Sequence, residues 1–294
     1  GGQTQGEIWT PMKKLKARLG DKNQEHCTVY NMIRLAEFLF RQTKDPAYMH
    51  YIEYNVQNGI MAQTYCPEGG LLTYFLPMKA ASRKEWAGER DSFFCCHGTM
   101  VQANAAWNHR LYYQEDDHLY VTMYADSQVS FEMQGRKICL TQNQDYMNGS
   151  LMTCSENNAK QTINETVSAY ANKPDFRKYV FTIHTQEDTP FHLMLRIPDW
   201  IREDAMVYIN DDLYVKTNNT AINRVWRNDD KVTVLLPIGL KFIPLPDDAS
   251  MGAYRYGADV LAGITEKERI LKLETEKPED ELSADTERQW GEFR

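Results

Sequence analysis

The sequence predicts a multidomain α+β chain, a helical N-terminal part followed by an antiparallel β-sandwich. Three observations predict it. The 294 residues suffice for about two domains. Up to Trp107 the apolar residues recur at helical spacing. Beyond Trp107 short apolar runs alternate with acidic and Asn-rich turns, the pattern of successive β-hairpins.

In Thr28 to Phe40, residues Val29, Met32, Ile33, Ala36, Leu39 and Phe40 share one helical face. Asp45-Pro46 starts a second helix, with Asp as cap and Pro in the first turn. Met49, Ile52, Val56 and Ile60 continue its apolar face, and Gly59 stands near its end. The short link from Gln42 to Asp45 implies an antiparallel pair. A loop at Gly69-Gly70 precedes a short strand, Leu71 to Leu76, stopped by Pro77, and a third helix is expected from Thr99 to Trp107. Three helices are too few for a layer of their own. The helical domain is therefore expected to continue upstream of Gly1, and the opening Gly1-Gly2-Gln3-Thr4-Gln5-Gly6-Glu7 reads as a segment from inside a longer protein.

The β part rests on four turn signatures. Glu115-Asp116-Asp117 separates Leu111-Tyr112-Tyr113 from Leu119 to Tyr124, and Gln134-Gly135 separates Val129 to Phe131 from Lys137 to Thr141. Asn210-Asp211-Asp212 separates Met206 to Ile209 from Leu213 to Val215, and Asn228-Asp229-Asp230 separates Val225-Trp226 from Val232 to Leu236. The expected organisation is a helical part over 1–109, a β-sandwich over 110–264 and a charged surface segment over 265–294.

Net charge is -8 and no block of Lys or Arg stands out, which argues against a nucleic-acid footprint and an anionic-membrane surface and suits a neutral substrate. No apolar run approaches the roughly 20 residues of a membrane span. The 17 Tyr and 6 Trp fit either sugar stacking or a β-sandwich core. Oligomeric state and compartment stay open, although thiolate ligands favour a reducing cytoplasm.

Six cysteines stand at 27, 66, 95, 96, 139 and 154. The chain is too large to need a disulfide framework, and adjacent Cys95 and Cys96 are poor partners for each other. Cys139 and Cys154 lie in strand-like stretches and read as buried small hydrophobes, whereas Cys66 has no assignment. Glu25, Cys27, Cys95 and Cys96 together offer three thiols and a carboxylate, a tetrahedral ligand set for zinc. Glu25 and Cys27 can share one ion only if the helix begins about there, leaving Glu25 in the preceding turn. Cys95 and Cys96 are likewise expected just before a helix, with Gly98 giving the turn freedom. Both half-sites would then stand at helix N-termini, where the dipole favours thiolate. A purely structural zinc is the rival. His26 and His97 invite a Cys-His nucleophile reading but fit polar residues at helix starts better.

The run Phe93-Phe94-Cys95-Cys96-His97-Gly98-Thr99 resembles the Cys-Cys signature of glycoside hydrolase family 127, the β-L-arabinofuranosidases, and of the related family 146. Glu25-His26-Cys27-Thr28-Val29-Tyr30-Asn31-Met32 resembles their Glu-x-Cys motif, and Gly1-Gly2 with Gly6-Glu7 resembles their Gly-Gly…Gly-Glu segment. Tyr254-Arg255-Tyr256-Gly257 with Val260-Leu261-Ala262-Gly263 resembles a late Tyr-Gly…Val-Leu-Ala-Gly stretch. The resemblance implies an (α/α)6 barrel, of which 1–109 is the C-terminal part, followed by the β-sandwich. It implies a bacterial retaining glycosidase with Zn2+ on Glu25, Cys27, Cys95 and Cys96, Cys95 as nucleophile and Glu7 as general acid/base. Tyr74, within Thr73-Tyr74-Phe75-Leu76-Pro77, resembles a substrate-contacting tyrosine, with a core tyrosine as the other reading. The implied substrate is a carbohydrate, the implied product L-arabinofuranose or a related furanose, and a fragment lacking the upstream helices is expected to be inactive. The second reading is a non-catalytic carbohydrate-binding or scaffold protein with a structural zinc, which would have no need of Glu7. The third is a Cys-His acyl-transfer enzyme, which would not need Glu25 or Cys27.

Overall fold

The structure is a computed structural model and describes residues 6–7, 11, 13–65, 71–88, 93–145, 176–217 and 220–263. The chain divides into two compact units, one formed by residues 1–108 with 240–294 and the other by 109–239.

Three α-helices lie among the described residues. α1 spans His26–Thr43 and buries Val29, Ile33, Ala36 and Phe40 of the stripe expected from the sequence, with Met32 and Leu39 half-buried. Glu25 precedes it in an extended conformation, and Lys44 ends it in the left-handed region at φ +57°, its N–H bonded to the Phe40 carbonyl. α2 spans Pro46–Asn55, and the Asp45 side chain accepts from the Ala47 N–H at 2.9 Å, the cap that Asp-Pro predicts. Met49 and Ile52 of α2 are fully buried, each worth roughly 1.5–3 kcal/mol in transfer from water. The helix continues as a wider turn over Val56–Ile60 and a tight one over Met61–Gln63. Gly59 does not end the helix. A Cβ there would lie 2.7 Å from Gln24 Nε2 and 2.8 Å from Val29 Cγ1, so the glycine is needed for close approach to α1.

The strand expected at Leu71 to Leu76 is two pieces. Leu71–Leu72 pairs with Thr64–Tyr65, and Phe75–Leu76 pairs with Gln24–Glu25. Between them the Thr73 hydroxyl donates to the Phe75 carbonyl at 2.9 Å, a local turn that competes with the ladder. The buried Gln63 amide spans the carbonyls of Gln24, Thr73 and Tyr74 at 3.2, 3.4 and 3.0 Å. It thereby fixes Tyr74 beside Glu25. Gln63→Leu removes these donors and leaves the Tyr74 carbonyl with the His26 N–H at 3.3 Å. It should lower unfolding free energy by roughly 1–3 kcal/mol in urea titration, and an unchanged midpoint would refute this role.

α3 spans Cys95–Ala105, not Thr99 to Trp107. Cys95 and Cys96 therefore lie inside the first turn, and Gly98 is helical. Cys-Cys-His-Gly has little helix propensity, but His97 Nδ1 accepts from the Phe94 N–H at 3.2 Å and stabilises the earlier start.

Among the described residues, the unit 109–239 has two sheets. Four strands run in the order Thr220–Trp226, Thr189–Leu195, His118–Val121, Tyr112–Glu115. Six run in the order Asp212–Thr217, Ala205–Ile209, Lys231–Pro237, Phe176–Thr185, Arg136–Asp145, Ser127–Met133. Phe131 of the second sheet meets Phe191 of the first at 5.6 Å between ring centroids, and Trp226 donates its indole N–H to the Phe191 carbonyl. Three of the four expected hairpins form. Asn210-Asp211 makes its turn with φ of +50° and +71°, and Gln134-Gly135 with +53° and +76°, the twisted two-residue geometry. The fourth does not form. Thr220–Trp226 and Lys231–Pro237 pair in different sheets. Asp230 explains why: its buried carboxylate accepts from the Arg227 N–H at 2.9 Å and from Asn210 Nδ2 at 2.7 Å, making the turn a corner between sheets. The pairing of His118–Val121 with Thr189–Leu195 is parallel, an exception to the antiparallel expectation.

Residues 240–263, placed with the sandwich in the sequence reading, pair with neither of its sheets. They form a separate three-stranded sheet of Leu240–Leu245, Asp248–Tyr256 and Asp259–Val260 that belongs to the helical unit. Asn58 on the α2 extension joins it there, donating to the Ala258 carbonyl at 2.8 Å and accepting from the Val260 N–H at 2.7 Å. The Gly1-Gly2 motif, Cys66, Gly69-Gly70, Cys154 and the charged segment 265–294 lie outside the described residues.

Candidate active site

Two helix starts meet a short strand pair to make the site. Glu25 is held extended by its pairing with Phe75, Cys27 stands in the first turn of α1, and Cys95 and Cys96 stand in the first turn of α3. The four donor atoms lie within 4.8 Å of one another. Cys27 Sγ is 3.6 Å from Cys96 Sγ, and Cys95 Sγ is 3.9 Å from Cys96 Sγ. Glu25 Oε1 is 3.8 Å from Cys95 Sγ and 4.0 Å from Cys96 Sγ. With zinc–sulfur bonds of about 2.3 Å and zinc–oxygen bonds of about 2.0 Å, the edges of a tetrahedron are about 3.5–3.8 Å. These four edges, 3.6–4.0 Å, lie within about 0.5 Å of those values, so this donor set fits a tetrahedral, thiophilic ion.

Electrostatics support the same fit. Burial pushes the Cys27 thiol up to about 11 and raises Cys96 as well. A buried and a half-buried thiol beside a buried carboxylate become thiolates only where positive charge compensates them. The two helix N-termini supply part of that charge.

Supporting contacts surround the donors. Thr28 donates to Glu25 Oε2 at 2.6 Å and aims the other carboxylate oxygen at the thiols. Thr99 Oγ1 lies 3.3 Å from Cys27 Sγ and 2.9 Å from His26 Nδ1. Burial brings the His26 imidazole down to about 4, so it is neutral at pH 7. Thr28 and Thr99 were not singled out from the sequence, although each stands three residues after a ligand, one helical turn on.

The exposures of the thiols differ. Cys96 is buried and Cys27 half-buried, whereas Cys95 is exposed. The Tyr74 hydroxyl lies 3.5 Å from Cys95 Sγ and donates a short hydrogen bond to Glu7 Oε1. The Glu7 bond, with Cys95 second, holds the phenol well above its ordinary range, so Tyr74 stays a donor. The structure thus brings Glu7, Tyr74 and Cys95 together. Tyr74 is partly exposed and is not a core residue. His26 faces Thr99 and His97 faces Phe94, which leaves the Cys-His reading without geometric support. Cys139 is half-buried in the β unit and accepts from Gln128 Nε2 at 2.8 Å, so it is not the fully buried hydrophobe expected.

Residues 1–109 match the family described as beta-L-arabinofuranosidase, GH127 catalytic domain, and residues 118–238 match its GH127 middle domain. The chain belongs to the GH127 β-L-arabinofuranosidase family. Solved structures agree in fold. A GH127 β-L-arabinofuranosidase from Geobacillus stearothermophilus T6 aligns with a TM-score of 0.67 at 20% identity, covering 88% of this chain and 40% of that one. A glycoside hydrolase aligns at 0.63 and 17% identity, covering 82% and 38%, and a GH127 β-arabinofuranosidase at 0.61 and 18%, covering 80% and 36%. The chain thus spans about two fifths of the length of these GH127 and related structures. No curated protein matches it significantly. Among the described residues no helix is long and apolar enough to cross a membrane. The Glu25, Cys27, Cys95 and Cys96 cluster falls inside the segment matched to the GH127 catalytic domain.

Proposed function

We propose that this chain carries the reactive centre of a zinc-dependent retaining glycoside hydrolase that releases L-arabinofuranose, or a related furanose, from β-linked glycans or glycoproteins. The observation that carries the reading is the exposed Cys95 thiol, which belongs to the four-donor cluster and is linked through Tyr74 to Glu7. A retaining glycosidase needs a nucleophile and an acid/base beside one sugar, and Cys95 and Glu7 fill those roles. The Cys95 thiolate attacks the anomeric carbon, forming a carbon–sulfur bond as the carbon–oxygen bond to the aglycone breaks. Glu7 gives its proton to the departing oxygen. Glu7, now a carboxylate, takes a proton from the water that attacks the same carbon, and the carbon–sulfur bond breaks to restore the thiolate. Tyr74 donates to the Glu7 carboxylate between these steps and contacts the sugar. Zinc, held by Glu25, Cys27, Cys95 and Cys96, supplies the positive charge that keeps these sulfurs deprotonated at neutral pH.

The three helices belong, in this proposal, to an (α/α)6 barrel. Leu35 and Phe38 on α1 and Val101 on α3 are exposed apolar residues suited to packing against further helices of such a barrel.

The test, in the complete enzyme that carries the whole helical barrel, is elemental analysis beside activity on an aryl β-L-arabinofuranoside. One zinc per chain is expected, activity should fall on chelation and return with zinc, and Cys27→Ser and Cys96→Ser should lower both metal content and Tm. Metal-free protein with full activity would refute the zinc role. Zinc without Glu7-dependent turnover would favour the structural-zinc alternative.

A further inference from the structure

The β unit holds a second cluster of metal-ligating side chains that the glycosidase reading does not use. Asp117 lies in the turn between Tyr112–Glu115 and His118–Val121, His118 opens the second of these strands, and His192 lies in Thr189–Leu195. The parallel pairing sets His192 directly beside His118. Their rings stack with centroids 4.4 Å apart and planes 10° apart. The Asp117 carboxylate reaches both, with Oδ1 2.8 Å from His118 Nδ1 and Oδ2 3.6 Å from His192 Nε2. The Asp117 carbonyl also accepts from the His192 N–H at 2.9 Å, which ties the turn to the neighbouring strand. All three donor atoms lie within 4.8 Å of one another.

We propose that Asp117, His118 and His192 bind a first-row divalent transition ion, independently of the thiolate centre. Two imidazoles and one carboxylate suit Zn2+, Co2+ or Ni2+, whereas Ca2+ and Mg2+ take oxygen donors. For bonds of about 2.1 Å, donors at right angles are about 3.0 Å apart. The two carboxylate–imidazole distances, 2.8 and 3.6 Å, straddle that value, and one of the two part-exposed imidazoles must turn out of the stack so that both in-plane lone pairs meet the ion. The Nδ1 hydrogen that His118 now donates to Asp117 moves to Nε2, which frees the Nδ1 lone pair for the ion. Three protein ligands leave the remaining positions to water. Backbone pairing fixes the two histidines in register before any ion arrives, which lowers the ordering cost of binding.

The full chain, loaded first with one equivalent of Zn2+ to fill the thiolate centre, is titrated with Ni2+ by calorimetry and absorbance. One further ion is expected, with the weak visible bands of nitrogen and oxygen ligation and without sulfur-to-nickel charge transfer. His118→Ala and His192→Ala should each weaken Ni2+ by more than the roughly 10–100-fold that losing a supporting partner costs a metal site. The double variant should bind none at this position. Asp117→Asn and His192→Gln, checked by circular dichroism and thermal melting, keep the test sound should an alanine variant misfold. Equal Ni2+ binding in wild type and double variant, or no Ni2+ bound by the zinc-loaded wild type, would overturn the site and leave the three residues a hydrogen-bonded clasp. Neither result bears on the thiolate centre, which charge-transfer absorbance reports separately.

Discussion

In the complete enzyme, Cys95→Ser should reduce turnover of an aryl β-L-arabinofuranoside by roughly 10³-fold or more, the largest effect expected of any single substitution here. Of the three clustered thiols only Cys95 is exposed, and it alone lies against the Tyr74 hydroxyl that reaches Glu7. A serine hydroxyl is a far poorer nucleophile than a thiolate, and the Glu25 carboxylate 3.8 Å away is, in this proposal, committed to the metal and not available as its base. The substitution also removes a proposed metal ligand, so two causes must be separated. Cys96→Ser does that, because Cys96 is buried and cannot reach a sugar. Both variants should bind zinc more weakly. Excess zinc should restore much of the Cys96→Ser activity and little of the Cys95→Ser activity. Cys95→Ser within tenfold of the parent at saturating zinc would remove Cys95 as the nucleophile. Equal rescue of the two variants would make Cys95 a ligand only.

Much of this centre could be read in the sequence because its donors sit in short motifs. Glu25 and Cys27 are two apart, which on a helix sends side chains to different sides, so the start of α1 had to fall between them, and it does. The start of α3 was harder to place. Nothing in the propensities of Cys-Cys-His-Gly marks a helix. The structure begins it at Cys95 because His97 satisfies the Phe94 N–H, an interaction that the composition of a first turn does not reveal. The link between Tyr74 and Glu7 spans 67 residues. It depends on Gln63 and on the pairing of Glu25 with Phe75, neither of which leaves a periodic trace.

The β unit shows the same division between local and distant causes. Gln134-Gly135 and Asn210-Asp211 fix their hairpins by backbone conformation, which residue type encodes directly. Asn228-Asp229-Asp230 carries a similar signature and yet makes a corner. Its outcome is decided by a buried Asp230 carboxylate bonded to Asn210, twenty residues away. The strands 240–260 read as more sandwich, and long-range contacts such as the side-chain bridge from Asn58 and the pairing of Lys16 with Asp248 show that they belong with the helices. His118 and His192 are adjacent through a parallel pairing with no turn between them, so no spacing rule could have joined them.

In the complete enzyme, Glu7→Gln should slow hydrolysis of an unactivated glycoside by roughly 10²–10⁴-fold while leaving zinc content unchanged. Glu7 lies outside the four-donor cluster, and its contact with the centre is the hydrogen bond from Tyr74, which a glutamine oxygen can still accept. The two chemical steps should respond differently. Loss of the acid hurts the first step in proportion to how much the leaving group needs a proton, so a nitrophenyl glycoside should lose little there. The second step has no leaving group to vary and needs Glu7 as base for the attacking water. With an activated substrate the variant should therefore show a burst of one phenolate per chain followed by slow turnover. The glycosyl-enzyme should accumulate, and intact-mass measurement after rapid quenching should show the addition of one anhydropentosyl unit, mapped by peptide analysis to Cys95. An external nucleophile such as azide, which needs no deprotonation, should speed the slow phase. Parent-like hydrolysis of the unactivated substrate would show that Glu7 is not the acid/base. An adduct on any residue other than Cys95 would keep the acid/base assignment and overturn the nucleophile.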